Sequence, residues 1–202
     1  MSNYAERLAY WFLRLNGFFL VENYVIDSYH SRAEHDLLAV RLPYTEEKIR
    51  GAKVEPHDLF REGGELDVCR DAILGLVVQV KGGRPFARRK QYPRSAFYEE
   101  RMRHALKRIG ATCDEKILEE AIDVLCAKAR SKPVYRGDGF AFAKVLIAAR
   151  PPERPRSYCS VPLDDVKEYV RKRMRASAQK ESHWHYFKDP LLQYIILDEG
   201  RC

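Results

Sequence analysis

Asp36, Gln79 and Lys81 are the residues whose types and order could do chemistry together, with Glu6 ahead of them on a helix-like segment. A hard divalent cation takes oxygen ligands, commonly one or two carboxylates completed by water and substrate phosphate. Asp36 offers a carboxylate and Gln79 an amide oxygen, while Glu6 offers a second carboxylate as a ligand or as support behind one. A cation held there would acidify water and polarise a phosphoryl oxygen, and Lys81 would orient the nucleophile or neutralise developing charge. The set implies phosphodiester hydrolysis assisted by Mg²⁺ or Mn²⁺. A neutral Gln in place of a carboxylate implies weak metal binding and a need for millimolar metal.

These residues must be held by strands and a helix. Ile73 to Lys81 is rich in β-branched residues and runs into Gly82-Gly83, which predicts a buried strand ending in a turn. Side chains alternate along a strand, so Gln79 and Lys81 share one face and Val78 and Val80 the other. Glu34 to Leu42, stopped by Pro43, predicts a second strand with Asp36 at its mouth, close to Gln79 if the two strands pair. Residues 3 to 16 predict an amphipathic helix, with Leu8, Trp11, Phe12 and Leu15 at helical spacing, a cap at Ser2 or Asn3, and Gly17 as its stop. Phe18 to Ile26 reads as a strand forming a hairpin with the Asp36 strand. Further helices are expected at 94–109, 114–130 and 164–180, a strand at Phe140 to Ala149, and a helix start at Asp189-Pro190. The polar stretch 43–72, with eight acidic and five basic residues, reads as a solvated loop or a lid.

Glu6 on a first helix ending at Asn16-Gly17-Phe18, then Asp36, then Gln79-Val80-Lys81 on the next core strand, resembles the PD-(D/E)xK nuclease superfamily. The Gln-x-Lys form is similar to the catalytic domains of type IV, modified-DNA-directed restriction enzymes, and the helix Glu is similar to that of archaeal Holliday-junction resolvases. The resemblance covers residues 1 to 150. It implies an α/β fold with a restriction-endonuclease-like core, a mixed central β-sheet flanked by helices, and residues 151–202 as a C-terminal helical extension within a single domain. It implies Asp36, Gln79, Lys81 and Glu6 as the catalytic set, with Asp36, Gln79 and Glu6 around the metal. Three features depart from the pattern: His35 replaces the Pro, Gln79 stands where Glu or Asp is usual, and the separation of Asp36 from Gln79 is long.

Charge points the same way. Nine basic residues against two acidic ones between Gly82 and Arg108 account for the whole net charge of +7. A cationic segment directly after Lys81 suits a nucleic-acid backbone, with DNA as the expected partner and Arg84, Arg88, Arg89 and Lys90 as the phosphate contacts. Phe86, Tyr92, Phe97 and Tyr98 are interleaved and could stack on bases. Arg101 to Arg108 read instead as the solvated face of a helix that turns Phe97, Met102, Leu106 and Ile109 inward. Arg171, Lys172, Arg173 and Arg175 extend the basic surface.

Five cysteines without a Cys-x-x-Cys pair argue against a disulfide framework or zinc knuckle and for reduced thiols in a cytoplasm. No apolar run approaches the length of a membrane span. His183-Trp184-His185 reads as a polar loop, and Arg136-Gly137-Asp138 as a turn before the Phe140 strand. Three classes of function follow: a metal-dependent endonuclease, in defence or repair; a nuclease-fold module that binds nucleic acid without cutting it; and a protein-interaction component. Cutting both strands would need two sites, which makes a homodimer an expectation of the first.

Overall fold

The computed structural model describes residues 4–28, 31–46, 48–49, 52–69, 71–82, 97–127, 131–151, 157–178 and 189–192. The fold is α/β, a mixed six-stranded sheet flanked by helices. Strands β1 (Phe19–Ser28) and β2 (Ser31–Arg41) form an antiparallel hairpin, and β2 pairs antiparallel with β5 (Ile73–Lys81). β5 then runs parallel to β7 (Phe140–Ala148) along its full length, from Ile73↔Phe140 to Lys81↔Ala148. The other edge of β7 is shared: β6 (Val134–Arg136) lies antiparallel along Ala141 to Ala143, and β8 (Cys159–Pro162) lies parallel along Val145 to Ala148. A small hairpin, β3 (Lys48–Ile49) and β4 (Ala52–Lys53), stands apart from this sheet.

Each face of the sheet carries a helical layer. Helices α1 (Tyr4–Arg14) and α4 (Leu163–Ala178) pack on one face, where Leu8, Phe12, Val166, Val170 and Met174 meet Leu76, Val78 and Val80. Helices α2 (Glu99–Ile109) and α3 (Glu115–Cys126) cover the other, where Met102, Leu106, Leu118 and Ile122 meet Val77, Phe142 and Leu146. The period of 2 in β5 therefore feeds both layers from one strand. α1 ends as its sequence predicts, with Gly17 at φ 84° and Phe18 N–H returning to the Leu13 carbonyl at 3.2 Å. Asp114 caps α3 by accepting from Lys116 N–H at 2.8 Å. The turn at Arg136 to Gly139 joins β6 to β7 as expected, closed by Gly137 N–H on the Phe140 carbonyl at 2.9 Å.

Several expectations are corrected. The stretch 43–72 is not merely a solvated loop: 3-10 turns at Asp58–Phe60 and Asp67–Cys69 drive Leu59, Phe60, Leu66 and Cys69 into the α1 layer. Its apolar residues are few and lack a helical or strand period, so the surplus of charge hides them. Arg173 is not part of a basic surface; it is 3% exposed, and its Nη2 donates to the Leu15 carbonyl at 2.8 Å while the guanidinium lies over Tyr169. The basic face of α2 is partly neutralised, because Arg103 pairs with Glu99 and Glu119 and Lys107 with Glu115. Phe97 is buried against Tyr158 and so is not placed to stack on a base, whereas Tyr98 is 57% exposed. Because β8 and α4 belong to the main sheet and its layer, residues after 151 supply part of the core.

The segment at Asp189 docks as its Pro suggests. Asp189 accepts from Leu191 N–H at 2.9 Å, Leu192 is fully buried, and Arg7 of α1 holds the carboxylate through Nε at 2.8 Å and through Nη2. The same guanidinium reaches Glu22 of β1 at 3.2 Å. Among the described residues, no helix is long and apolar enough to cross a membrane. Cys69, Cys113, Cys126 and Cys159 are free thiols; burial pushes Cys69 and Cys126 up to about 11 and Cys159 higher still, which leaves those three unreactive, whereas Cys113 is exposed.

Candidate active site

The β2–β5 ladder runs from Arg41↔Leu74 to Leu37↔Val78, and Asp36 is the next residue out, where pairing gives way to a fork. Its carboxylate fills that fork. Asp36 Oδ2 accepts the Val80 backbone N–H at 2.5 Å and the side-chain amide of Gln79, and Lys81 Nζ stands 3.7 Å from the same oxygen. A side chain thus does what the ladder would otherwise do for a backbone donor at the end of a buried strand. Gln79 is only 4% exposed, so its amide needs such a partner. Asp36 and Lys81 are partly open to solvent, which leaves the polar end of the fork reachable.

Glu6 enters from the first turn of α1. Its carboxylate is close enough to Asp36 to oppose ionisation there. Burial raises the Asp36 pKa above its ordinary value; the Val80 N–H and the Lys81 ammonium work against that rise, and Glu6 adds to it. Two acids, one amide and one amine converge at the end of the sheet where β5 and β7 leave it. The sequence identified all four side chains, and the structure brings them together. What it did not identify is the Val80 N–H, because a backbone donor carries no residue-type signal.

The donor set fits a hard cation. Asp36 and Glu6 would contribute carboxylate oxygens and Gln79 an amide oxygen, the ligand types Mg²⁺ and Mn²⁺ take. Gln79 presents its nitrogen to Asp36, so offering oxygen requires a half-turn of the amide. Among the described residues, no group of three His, Cys, Asp or Glu side chains converges.

Other expected site residues fall elsewhere. Arg84, Arg88, Arg89 and Lys90, with Phe86 and Tyr92, lie outside the described residues, as do His183, Trp184 and His185. The side chains of Glu34 and His35 are likewise outside them. A cavity of about 550 Å³ on the α4 side, lined by His57, Arg61, Ser160, Asp165, Tyr169 and Lys172 among others, contains none of the four site residues. His57 there is held toward its neutral form by burial, with Nδ1 accepting from Leu59 N–H at 3.2 Å.

Comparison with protein-family models, with curated proteins and with solved structures gives no match.

Proposed function

We propose that this chain is a metal-dependent endonuclease acting on DNA, with a restriction-endonuclease-like core. One observation carries the reading: Asp36, Gln79 and Lys81 meet in a fork at one sheet end, with Glu6 of α1 near enough to raise the Asp36 pKa. Asp36, Gln79 and Glu6 would hold Mg²⁺ or Mn²⁺, which when bound supplies Lewis acidity toward a phosphoryl oxygen and acidifies water. Lys81 stands beside the metal-binding carboxylate, where its ammonium would stabilise charge developing on the phosphate. The Val80 N–H fixes the orientation of the Asp36 carboxylate, while Gln79 must turn its amide and give up its bond to Asp36 to offer oxygen to a metal. The excess of cations after Lys81 supplies attraction to a polyanion.

A second reading has one observation in its favour. The Gln79 nitrogen, not its oxygen, faces Asp36, which suits a nuclease-fold module that binds DNA without cutting it. Supercoiled plasmid incubated with Mg²⁺, Mn²⁺ or EDTA separates the two. The proposal expects nicking with metal, none with EDTA, and loss of nicking in Asp36→Ala. A salt-sensitive gel shift with intact plasmid under every condition supports the second reading instead.

A further inference from the structure

Gly82 follows Lys81 directly at the end of β5, and Ala5 precedes Glu6 directly in the first turn of α1. The two meet: a Cβ built on Gly82 would lie 2.6 Å from the Ala5 Cβ, well inside any carbon–carbon contact. Gly82 is not required by its backbone, because its φ is outside the left-handed region that glycine alone enters freely. It is not required by burial either, since it is exposed. What remains is space. The missing side chain allows the strand end and the helix turn to approach closely; of the residues next to them, Lys81 comes to 3.7 Å from Asp36 and the Glu6 carboxylate lies near enough to act on its charge.

We propose that the Gly82–Ala5 contact is the positioning device of the site, setting the Glu6 carboxylate against Asp36 and Lys81. This rests on the nuclease reading above. A methyl group on Gly82 would have to push the first turn of α1 outward by about 1 Å to regain ordinary carbon–carbon separation. The rest of the helix cannot follow: Leu8 and Phe12 are buried to within 1%, and Arg7 is tied to Asp189 and Glu22. The displacement therefore falls on the turn that carries Glu6. A misplacement of that size in a catalytic group lowers rate on the order of a hundredfold.

The test is Mn²⁺ affinity by titration calorimetry, single-turnover plasmid nicking and thermal unfolding, on wild type, Gly82→Ala, Ala5→Gly and the double variant. Gly82→Ala is expected to weaken Mn²⁺ binding by about tenfold and nicking by about a hundredfold, with a cooperative unfolding transition retained. The double variant, which restores the space, should return to within about twofold of Ala5→Gly alone. Ala5→Ser enlarges the same contact from the helix side and should show a smaller loss of the same kind, which serves if Gly82→Ala does not fold. Wild-type affinity in Gly82→Ala or in Ala5→Ser, or no recovery in the double variant, overturns the positioning role while leaving the site intact. A wild-type protein that takes up no Mn²⁺ overturns the site and the inference together.

Discussion

The Asp36 carboxylate has two tasks at one atom: it satisfies the Val80 N–H and the Gln79 amide, and it stands 3.7 Å from the Lys81 ammonium. Gln79→Glu tests this arrangement. Without metal it places two carboxylates in contact, so the melting temperature should fall by several degrees; with Mn²⁺ the added ligand should recover it, at lower metal than wild type needs. An Mn²⁺ stabilisation no larger than that of wild type would remove Gln79 from the ligand set. Lys144 gives a prediction of another kind. It is 2% exposed in the middle of β7, with Nζ donating to Ser131 Oγ at 2.6 Å and to the Leu125 carbonyl at the end of α3. Burial pushes its pKa down to about 8 from the ordinary 10.5. Between those values the unfolded chain binds the proton and the folded chain does not, so this group makes stability rise with pH through that window, by about 3 kcal/mol in all. Lys144→Met should abolish that part of the rise in urea unfolding measured at pH 7.5 to 10; an unchanged slope would contradict it. The four candidate side chains could be picked out by residue type and order, and their action as one site belongs to the proposal. Lys144 was not, since a single lysine in an apolar run carries no sign of which way it points. Arg173 was legible in principle: it lies three residues after Val170 and seven after Val166, both on the buried face.

The hairpin, the β5 strand, the two central helices and α4 followed from periodicity, although α2 begins only at Glu99, after a Tyr98 cap, and α3 stops at Cys126, both shorter than expected. β6 and β8 escaped notice because three or four residues cannot display a period, and Pro162 at the end of β8 discourages a strand reading. The Asp189 segment shows how a short element is held without length. Burial pushes the Asp189 carboxyl up, but the Arg7 guanidinium and the Leu191 N–H outweigh it and hold the pKa below the ordinary carboxylate value. A depressed acid stabilises the fold above its unfolded pKa and loses that contribution as pH falls through the folded one. Asp189→Ala should therefore cost roughly 2 kcal/mol at pH 7, from a lost cap and a broken ion pair, and much less near pH 3. Urea titrations at the two pH values check it; equal losses would mean the side chain acts by packing alone.

At the scale of the molecule, the sheet brings the candidate site residues to one end and spreads its hydrophobic support over both faces. The antiparallel β2–β5 pair opens at Asp36, the parallel β5–β7 pair carries Gln79 and Lys81 to the same end, and α1 crosses there with Glu6. That juxtaposition needed tertiary structure to establish, because strand pairing across a sequence separation of 43 from Asp36 to Gln79 is not written in either strand. The measurement that bears most directly on the nuclease proposal is metal-dependent nicking of supercoiled and branched DNA by wild type beside Lys81→Ala, purified identically. Lys81 is part-exposed at a strand end, so the variant should fold, and its activity should fall by about a hundredfold or more. Equal cutting by both proteins, or none by either, would contradict the account.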